Sequence, residues 1–186
     1  KGGWTGWTWN RDLFPNPQGF LKYLKQNNVK VTLNLHPADG VAAYEEKYPE
    51  MAKDMGVDPA TKQTIPWINS DKKFMKNMFK NILAPMEKDG VDFWWLDWQQ
   101  GMFDSKMKNL SNTWWINFFS DMEQRRETRP MLYHRWGGLG NHRYQVGFSG
   151  DAVISWKSLD FQPYFNSTAS NVLYGYWSHD LGGHIG

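Results

Sequence analysis

A chain of 186 residues with 40% hydrophobic and 22% charged composition is long enough for one sizeable core and shows no sign of disorder. Its formal charge of +2 comes without any long block of one sign, which argues against a nucleic-acid or acidic-membrane footprint, and no apolar run approaches the ~18 residues of a membrane span. The absence of cysteine removes disulfides, thiolate nucleophiles and cysteine metal sites, whereas 12 Trp supply flat rings that suit both a dense core and the apolar faces of sugars.

Trp4 to Asn10 alternates Trp with Thr and Gly and reads as a loop or short extended piece. Asn16 then offers an N-cap oxygen and Pro17 suits the first helical position, so a helix is expected with Phe20, Leu21 and Leu24 on one face, ending at Asn27-Asn28. From Val29 to His36 apolar residues alternate with polar ones, which predicts a strand whose Asn34 and His36 face inward. Pro37 to Pro66 has no sustained period apart from a short helix around Glu45 to Met55, the mark of an elaborated loop. A Ser70 cap opens a helix whose Phe74, Met75, Met78, Phe79, Ile82, Leu83 and Met86 form one stripe.

Gly90 releases the chain into Val91-Asp92-Phe93-Trp94-Trp95-Leu96-Asp97-Trp98, too short an apolar run for a helix and therefore a buried strand with Asp97 at its end. A helix from Ser111-Asn112 carries Trp114, Trp115, Phe118 and Phe119, with Arg125-Arg126 near its negative end. Further strands are expected over Pro130–Arg135, Gln145–Gly150 and Leu173–Trp177, with a helix from Trp156 to Ala169 kinked at Pro163. Polar groups close strand after strand: His36, Asp97, Arg135, Asp151 and the Ser178-His179-Asp180 run.

Strands alternating with helices, without hairpin signals, predict a parallel sheet. Both a doubly wound sheet and a (β/α)8 barrel fit, but no Gly-rich dinucleotide loop follows any strand, and polar residues end every strand rather than one crevice, which favours the barrel. A whole barrel takes ~250 residues. About five of eight units are expected here, so residues 1–186 read as one partial barrel domain lacking its first and last strands. The Lys1 start and the Gly182–Gly186 finish read the same way, as the interior of a longer chain.

Trp95-Leu96-Asp97-Trp98, Arg135 placed sixteen positions before Asp151 in Phe148-Ser149-Gly150-Asp151, and His179-Asp180-Leu181-Gly182-Gly183 together resemble glycoside hydrolase family 31, the retaining α-glycosidases related to α-glucosidases and α-xylosidases. The Phe14-Pro15-Asn16-Pro17 helix start and the strand ending at His36-Pro37 extend the resemblance over nearly the whole chain. It implies a (β/α)8 barrel flanked by β domains, a carbohydrate substrate, and no metal or cofactor. By position Asp97 resembles the family's nucleophile and Asp151 its general acid/base, Arg135 and Asp180 resemble residues that bind sugar hydroxyls, and Trp95, Phe148 and His184 resemble walls of the first sugar subsite. The sequence departs from the family at Trp98-Gln99-Gln100, where a Glu usually stands three residues past the nucleophile, at Phe148, where a Trp is frequent, and at His36, where an acid is common.

Retaining hydrolysis needs two carboxyl groups ~5 to 5.5 Å apart, one ionised to attack and one protonated to release the leaving oxygen. Asp97 and Asp151 lie 54 positions apart in sequence, but strand ends two staves apart face each other across a barrel mouth. Histidines 36, 179 and 184 with Asp180 invite a metal reading, although no two of them show tight ligand spacing. A carbohydrate-binding relative without turnover, and an inactive, self-associating piece of such an enzyme, are the competing readings.

Overall fold

The computed structural model describes residues 3–97, 101–135 and 137–186. Lys1 and the Trp98-Gln99-Gln100 continuation lie outside the described residues. Five strands form one sheet: β1 (Thr32–Leu35), β2 (Phe93–Leu96), β3 (Leu132–Arg135), β4 (Val146–Phe148) and β5 (Trp177–Ser178). Every neighbouring pair is parallel and the spatial order is the chain order. A doubly wound sheet reverses its strand order at a switch point. Uninterrupted order is instead the stave pattern of a barrel.

Side-chain alternation then sorts the strands into two faces. Leu35, Trp94, Leu96 and Leu132 point away from the interior into one core with Leu21, Phe74, Met75, Met78, Ile82, Leu83 and Ile116 from the helices. Asn34, Trp95, Tyr133 and Arg135 occupy the alternate positions, and the register pairs Asn34 with Trp95 and Trp95 with Tyr133. Polar ends therefore collect on one mouth.

The helices are α1 (Pro17–Gln26), α2 (Tyr48–Met55), α3 (Lys72–Met78), α4 (Ala84–Asp89), α5 (Asn112–Gln124) and α6 (Trp156–Ser170). Asn16 caps α1 as expected, its Oδ1 accepting the Gly19 N–H at 2.9 Å. Asp71, not Ser70, caps α3, because its Oδ1 reaches the Lys73 and Phe74 N–H groups. Ser70 is engaged elsewhere: its hydroxyl and its N–H both donate to buried Asp104, which thereby ties the segment after β2 to the start of α3. Between α3 and α4 the residues Phe79–Leu83 form a π turn in which the Ala84 N–H reaches back to the Phe79 carbonyl. Pro85 has no N–H to continue the ordinary ladder, and the wider turn carries the helix past it.

Three expectations shift. Strand β1 begins at Thr32 rather than Val29, since Asn28 turns left-handed (φ 58°) and Val29 is exposed. The helix expected from Glu45 starts at Tyr48, and Glu45 is a buried carboxylate. The last strand is Trp177–Ser178 instead of Leu173–Trp177, because α6 runs on to Ser170 and Leu173 adopts φ 61° in the turn that follows. Pro163 sits inside α6. Helix α6, the turn after it and the loop after β5 leave Trp156, Leu173 and Leu181 respectively largely exposed, and no helix among the described residues is long and apolar enough to cross a membrane.

Candidate active site

Asp97 follows β2 directly, and its N–H donates to the Leu35 carbonyl, which extends the β1–β2 pairing to the mouth. Two staves further on, Gly150 (φ 50°) and Asp151 (φ 49°) turn sharply after β4. An aspartate tolerates the left-handed region better than most residues, and here Asp180 holds the turn by accepting the Asp151 N–H at 2.9 Å. A side chain at Gly150 is impossible without displacement, since a Cβ there falls 2.6–2.8 Å from Arg135 guanidinium atoms.

Arg135, at the end of the intervening strand β3, joins the two acids. Its Nε donates to Asp97 Oδ1 at 2.7 Å and its Nη2 lies 3.0 Å from Asp151 Oδ1. The guanidinium is nearly buried, the Asp97 carboxylate is 11% exposed and that of Asp151 35% exposed. One acid is therefore enclosed, while the other keeps access to water.

Asp97 Oδ2 faces His36 Nε2 at 3.5 Å. Burial lowers the His36 pKa, opposed by the Asp97 charge and reinforced by Arg135, so the imidazole is neutral at neutral pH and the contact is not an ion pair. On the far side, the loop after β5 folds back on the loop after β4: the His184 N–H donates to the Ala152 carbonyl and the Ile154 N–H to that of Ile185. This brings His184 Nε2 within 3.6 Å of Asp151 Oδ1, with the imidazole 59% exposed.

Below the acids lies an aromatic layer. Trp95 stacks on Tyr133 at 5.4 Å, Phe148 meets Trp95 edge-on at 5.3 Å, and the Arg135 guanidinium sits 5.2 Å over the Phe148 ring. Phe148 is 2% exposed and supports the arginine from beneath. Tyr133 was not among the sequence candidates, yet it shares the inward face with Arg135 two positions on, and that period-two spacing was the available signal. Burial first, and then the Asp180 and Asp97 charges, raise its pKa against a hydrogen bond with Ser178, so its hydroxyl is a neutral group. Asn34 Oδ1, His36 Nδ1 and Trp95 Nε1 are buried with no partner among the described residues, an uncommon condition for enclosed polar atoms.

Arg135 is held from behind by a buried polar network. His134 Nδ1 lies 2.8 Å from the Arg135 carbonyl oxygen, which makes it the protonated nitrogen, and Asn141 Nδ2 donates to the same oxygen at 3.1 Å. Asn141 also donates to the Tyr174 hydroxyl. Burial pushes His134 down from 6.5 to about 4, outweighing the backbone hydrogen bond that raises it. The unfolded chain therefore takes up a proton that the folded one refuses between these two values. The contribution is nil above the unfolded pKa and grows more unfavourable as pH falls towards the folded one, reaching roughly 3 kcal/mol. Urea unfolding of the complete protein should show stability declining as pH drops below 6.5 towards 4, with a shallower decline in His134→Gln. An identical slope in the variant would contradict this assignment.

Asp151, Asp180 and His184 bring potential ligand atoms within 4.8 Å of one another and are the described residues best placed to hold a cation. Any such ion would compete with the Arg135 guanidinium already on Asp151. A groove of about 590 Å³, which Asp180 and His179 help to line, lies between the loop after β4, the first turns of α6 and the loop after β5.

Five parallel staves in chain order, with helices outside and charged groups gathered where the strands stop, make this part of a (β/α)8 barrel protein. Residues 2–185 match the model of the glycosyl hydrolases family 31 TIM-barrel domain, and the chain belongs to that family. Among solved structures it is similar to a GH31 α-xylosidase from a soil metagenome complexed with xylose, at 18% identity and TM-score 0.68, covering 99% of this chain and 31% of that one. The GH31 α-xylosidase from Xanthomonas citri is 18% identical at TM-score 0.61, covering 98% of this chain and 23% of that one. The cycloalternan-forming enzyme from Listeria monocytogenes, in complex with a pentasaccharide substrate, is 17% identical at TM-score 0.62, covering 100% and 21%. At such identities the likeness shows the fold. The chain spans less than a third of the length of these proteins.

Proposed function

We propose that this segment carries the catalytic carboxylates of a retaining α-glycoside hydrolase that acts on terminal α-linked sugars. The observation that supports it most is the bridge of Arg135 between Asp97 and Asp151, groups from different strands that meet at one guanidinium. In the first displacement an Asp97 oxygen attacks the anomeric carbon while Asp151, protonated, gives its proton to the departing glycosidic oxygen, leaving a β-glycosyl ester on Asp97. In the second, Asp151 takes a proton from water, the water oxygen bonds the same carbon, and Asp97 leaves. Two inversions return an α product.

The greater exposure of Asp151 suits a group that must meet both leaving group and water. Arg135 fixes the Asp97 carboxylate, Trp95 and Tyr133 stack beneath it, His184 borders Asp151, and Asp180 sets the Asp151 turn and is assigned, with Arg135, to sugar hydroxyls. Terminal α-glucosides and α-xylosides are the substrates we assign first, the latter because two of the similar structures are α-xylosidases. The rest of such a barrel, with its flanking β domains, would pack on the exposed apolar side of α6 and continue the sheet from its β1 and β5 edges.

The experiment is product analysis. The complete protein is offered aryl α-glucoside, α-xyloside, α-galactoside and N-acetyl-α-galactosaminide, and the anomer first formed is followed by proton NMR. Release of an α sugar supports the reading. Release of a β sugar overturns it, and sugar binding without hydrolysis would favour a carbohydrate-binding role.

A further inference from the structure

We infer that Asn141 is a positioning residue for the proposed reaction: its side-chain amide holds the end of β3 so that the Arg135 fork stays between the two acids. This rests on the hydrolase reading above and adds to it a residue that works through Arg135 rather than on the sugar. The connections from β1 to β2, from β2 to β3 and from β4 to β5 each carry at least one α-helix. Between β3 and β4 the described residues hold only the short 3-10 turn Asn141–Arg143. The strand that delivers Arg135 therefore has no helix after it to fix where it stops.

Asn141 supplies that fixing with both polar atoms of its side chain. Its Nδ2 donates to the Arg135 carbonyl oxygen and to the Tyr174 hydroxyl, each at 3.1 Å, and its Oδ1 accepts from Asn117 Nδ2 of α5 at 3.2 Å. The residue is 3% exposed, so these bonds are made away from competing water. One side chain thus ties the last carbonyl of β3 to the helix before it and to the segment that enters β5. His134 Nδ1 also donates to that carbonyl, but from the adjacent position of the same strand, which orients the peptide without anchoring it to another element. Gly137 makes room for the anchor, since a Cβ there would fall 2.7 Å from Asn141 Oδ1.

The fork that Asn141 directs has little freedom of its own. The Phe148 ring lies 5.2 Å from the guanidinium carbon, and Gly150 approaches so closely that a Cβ would meet guanidinium atoms at 2.6–2.8 Å. From this one setting Nε reaches Asp97 and Nη2 reaches Asp151. A displaced β3 end is consequently passed on to both acids rather than absorbed by rotation of the side chain. Misplacing reacting groups by about 1 Å costs roughly 10²-fold in rate.

The test is a double-mutant cycle in the complete protein, with an aryl α-glycoside as substrate and rates taken per folded molecule well below Tm. Asn141→Leu, close in volume and without donors, should lower kcat by roughly 10- to 100-fold while changing KM less than about 3-fold. In the Arg135→Ala background the same substitution should change kcat less than about 2-fold, because the group it acts through is gone. Should the leucine variant not fold, Asn141→Ser, which is smaller and also loses the amide, is read against the same two expectations. Unchanged kcat, a loss confined to KM, or an equal loss with and without Arg135 would overturn the inference. If the unsubstituted protein hydrolyses nothing, the hydrolase reading fails by itself, and crystal structures of that protein and of the Asn141 variant still decide. An Arg135 guanidinium moved by about 1 Å or more supports the positioning role, and an unmoved one removes it.

Discussion

Replacing Asp97 with alanine in the complete protein should lower kcat/KM for an aryl α-glycoside by about 10⁴-fold, and added azide should restore turnover by yielding a β-glycosyl azide. The reasoning is geometric. Asp97 is enclosed, with one oxygen on Arg135 at 2.7 Å and the other facing His36 at 3.5 Å, so truncating it removes the carboxylate assigned to the attack and leaves a space at its place. Azide is small enough to enter the space left by the carboxyl group and attack the same face of the sugar. Folding should survive, because Arg135 keeps Asp151 at 3.0 Å and is not left as an unpaired buried cation. Asp151→Ala should behave differently. With a good aryl leaving group the first displacement needs little acid, so the glycosyl ester accumulates, and azide then gives the α-glycosyl product. The same azide anomer from both variants would contradict the assignment of roles.

Arg135→Ala should remove activity and destabilise the protein together. The guanidinium is 6% exposed and neutralises two carboxylates, one of them 11% exposed. Its loss leaves Asp97 and Asp151 without the cation they share, and breaking such a pair costs about 3–5 kcal/mol. For a domain of about 150–250 residues that lowers Tm by roughly 6–20 °C, and kcat/KM should fall by at least about 10³-fold as the attacking group loses its orientation. Arg135→Lys should recover stability in part and activity hardly at all, since one ammonium cannot reproduce two donors held in a plane over Phe148. A variant of unchanged Tm would show that the arginine serves ligand hydroxyls alone.

Much of this arrangement was legible in the sequence because it depends on short-range patterns. The run Phe93–Leu96 flanked by Gly90 and Asp97 is apolar on both sides, which only a strand buried between helices and a filled interior tolerates. Asn16-Pro17 wrote its own helix start. The barrel reading followed from polar groups closing several strands, and the sheet's unbroken order agrees with it. What escaped depends on partners distant along the chain. Ser70 looks as good a cap as Asp71 until Asp104, 34 positions later, takes its hydroxyl. Glu45 suits a helix surface until Thr5 and Thr8 arrive to bury it. Leu173 reads as strand by composition, but the left-handed turn after α6 claims it.

The site shows the same division. Asp97, Arg135 and Asp151 could be placed at strand ends by counting, whereas the meeting of both acids on a single guanidinium is a property of the sheet's curvature and register. Phe148 was expected at a ligand's edge and lies under Arg135. Tyr133 reads in sequence as an ordinary strand aromatic, and only its stacking on Trp95 distinguishes it.

The most direct measurement is to trap the intermediate. The complete protein is incubated with a 5-fluoro glycoside of the sugar it prefers, whose ester forms faster than it is hydrolysed, and the labelled peptide is sequenced by mass spectrometry. The account predicts one sugar per chain, attached to the carboxylate of Asp97 and discharged by added acceptor. A label on Asp151, Asp180 or any other residue would contradict it.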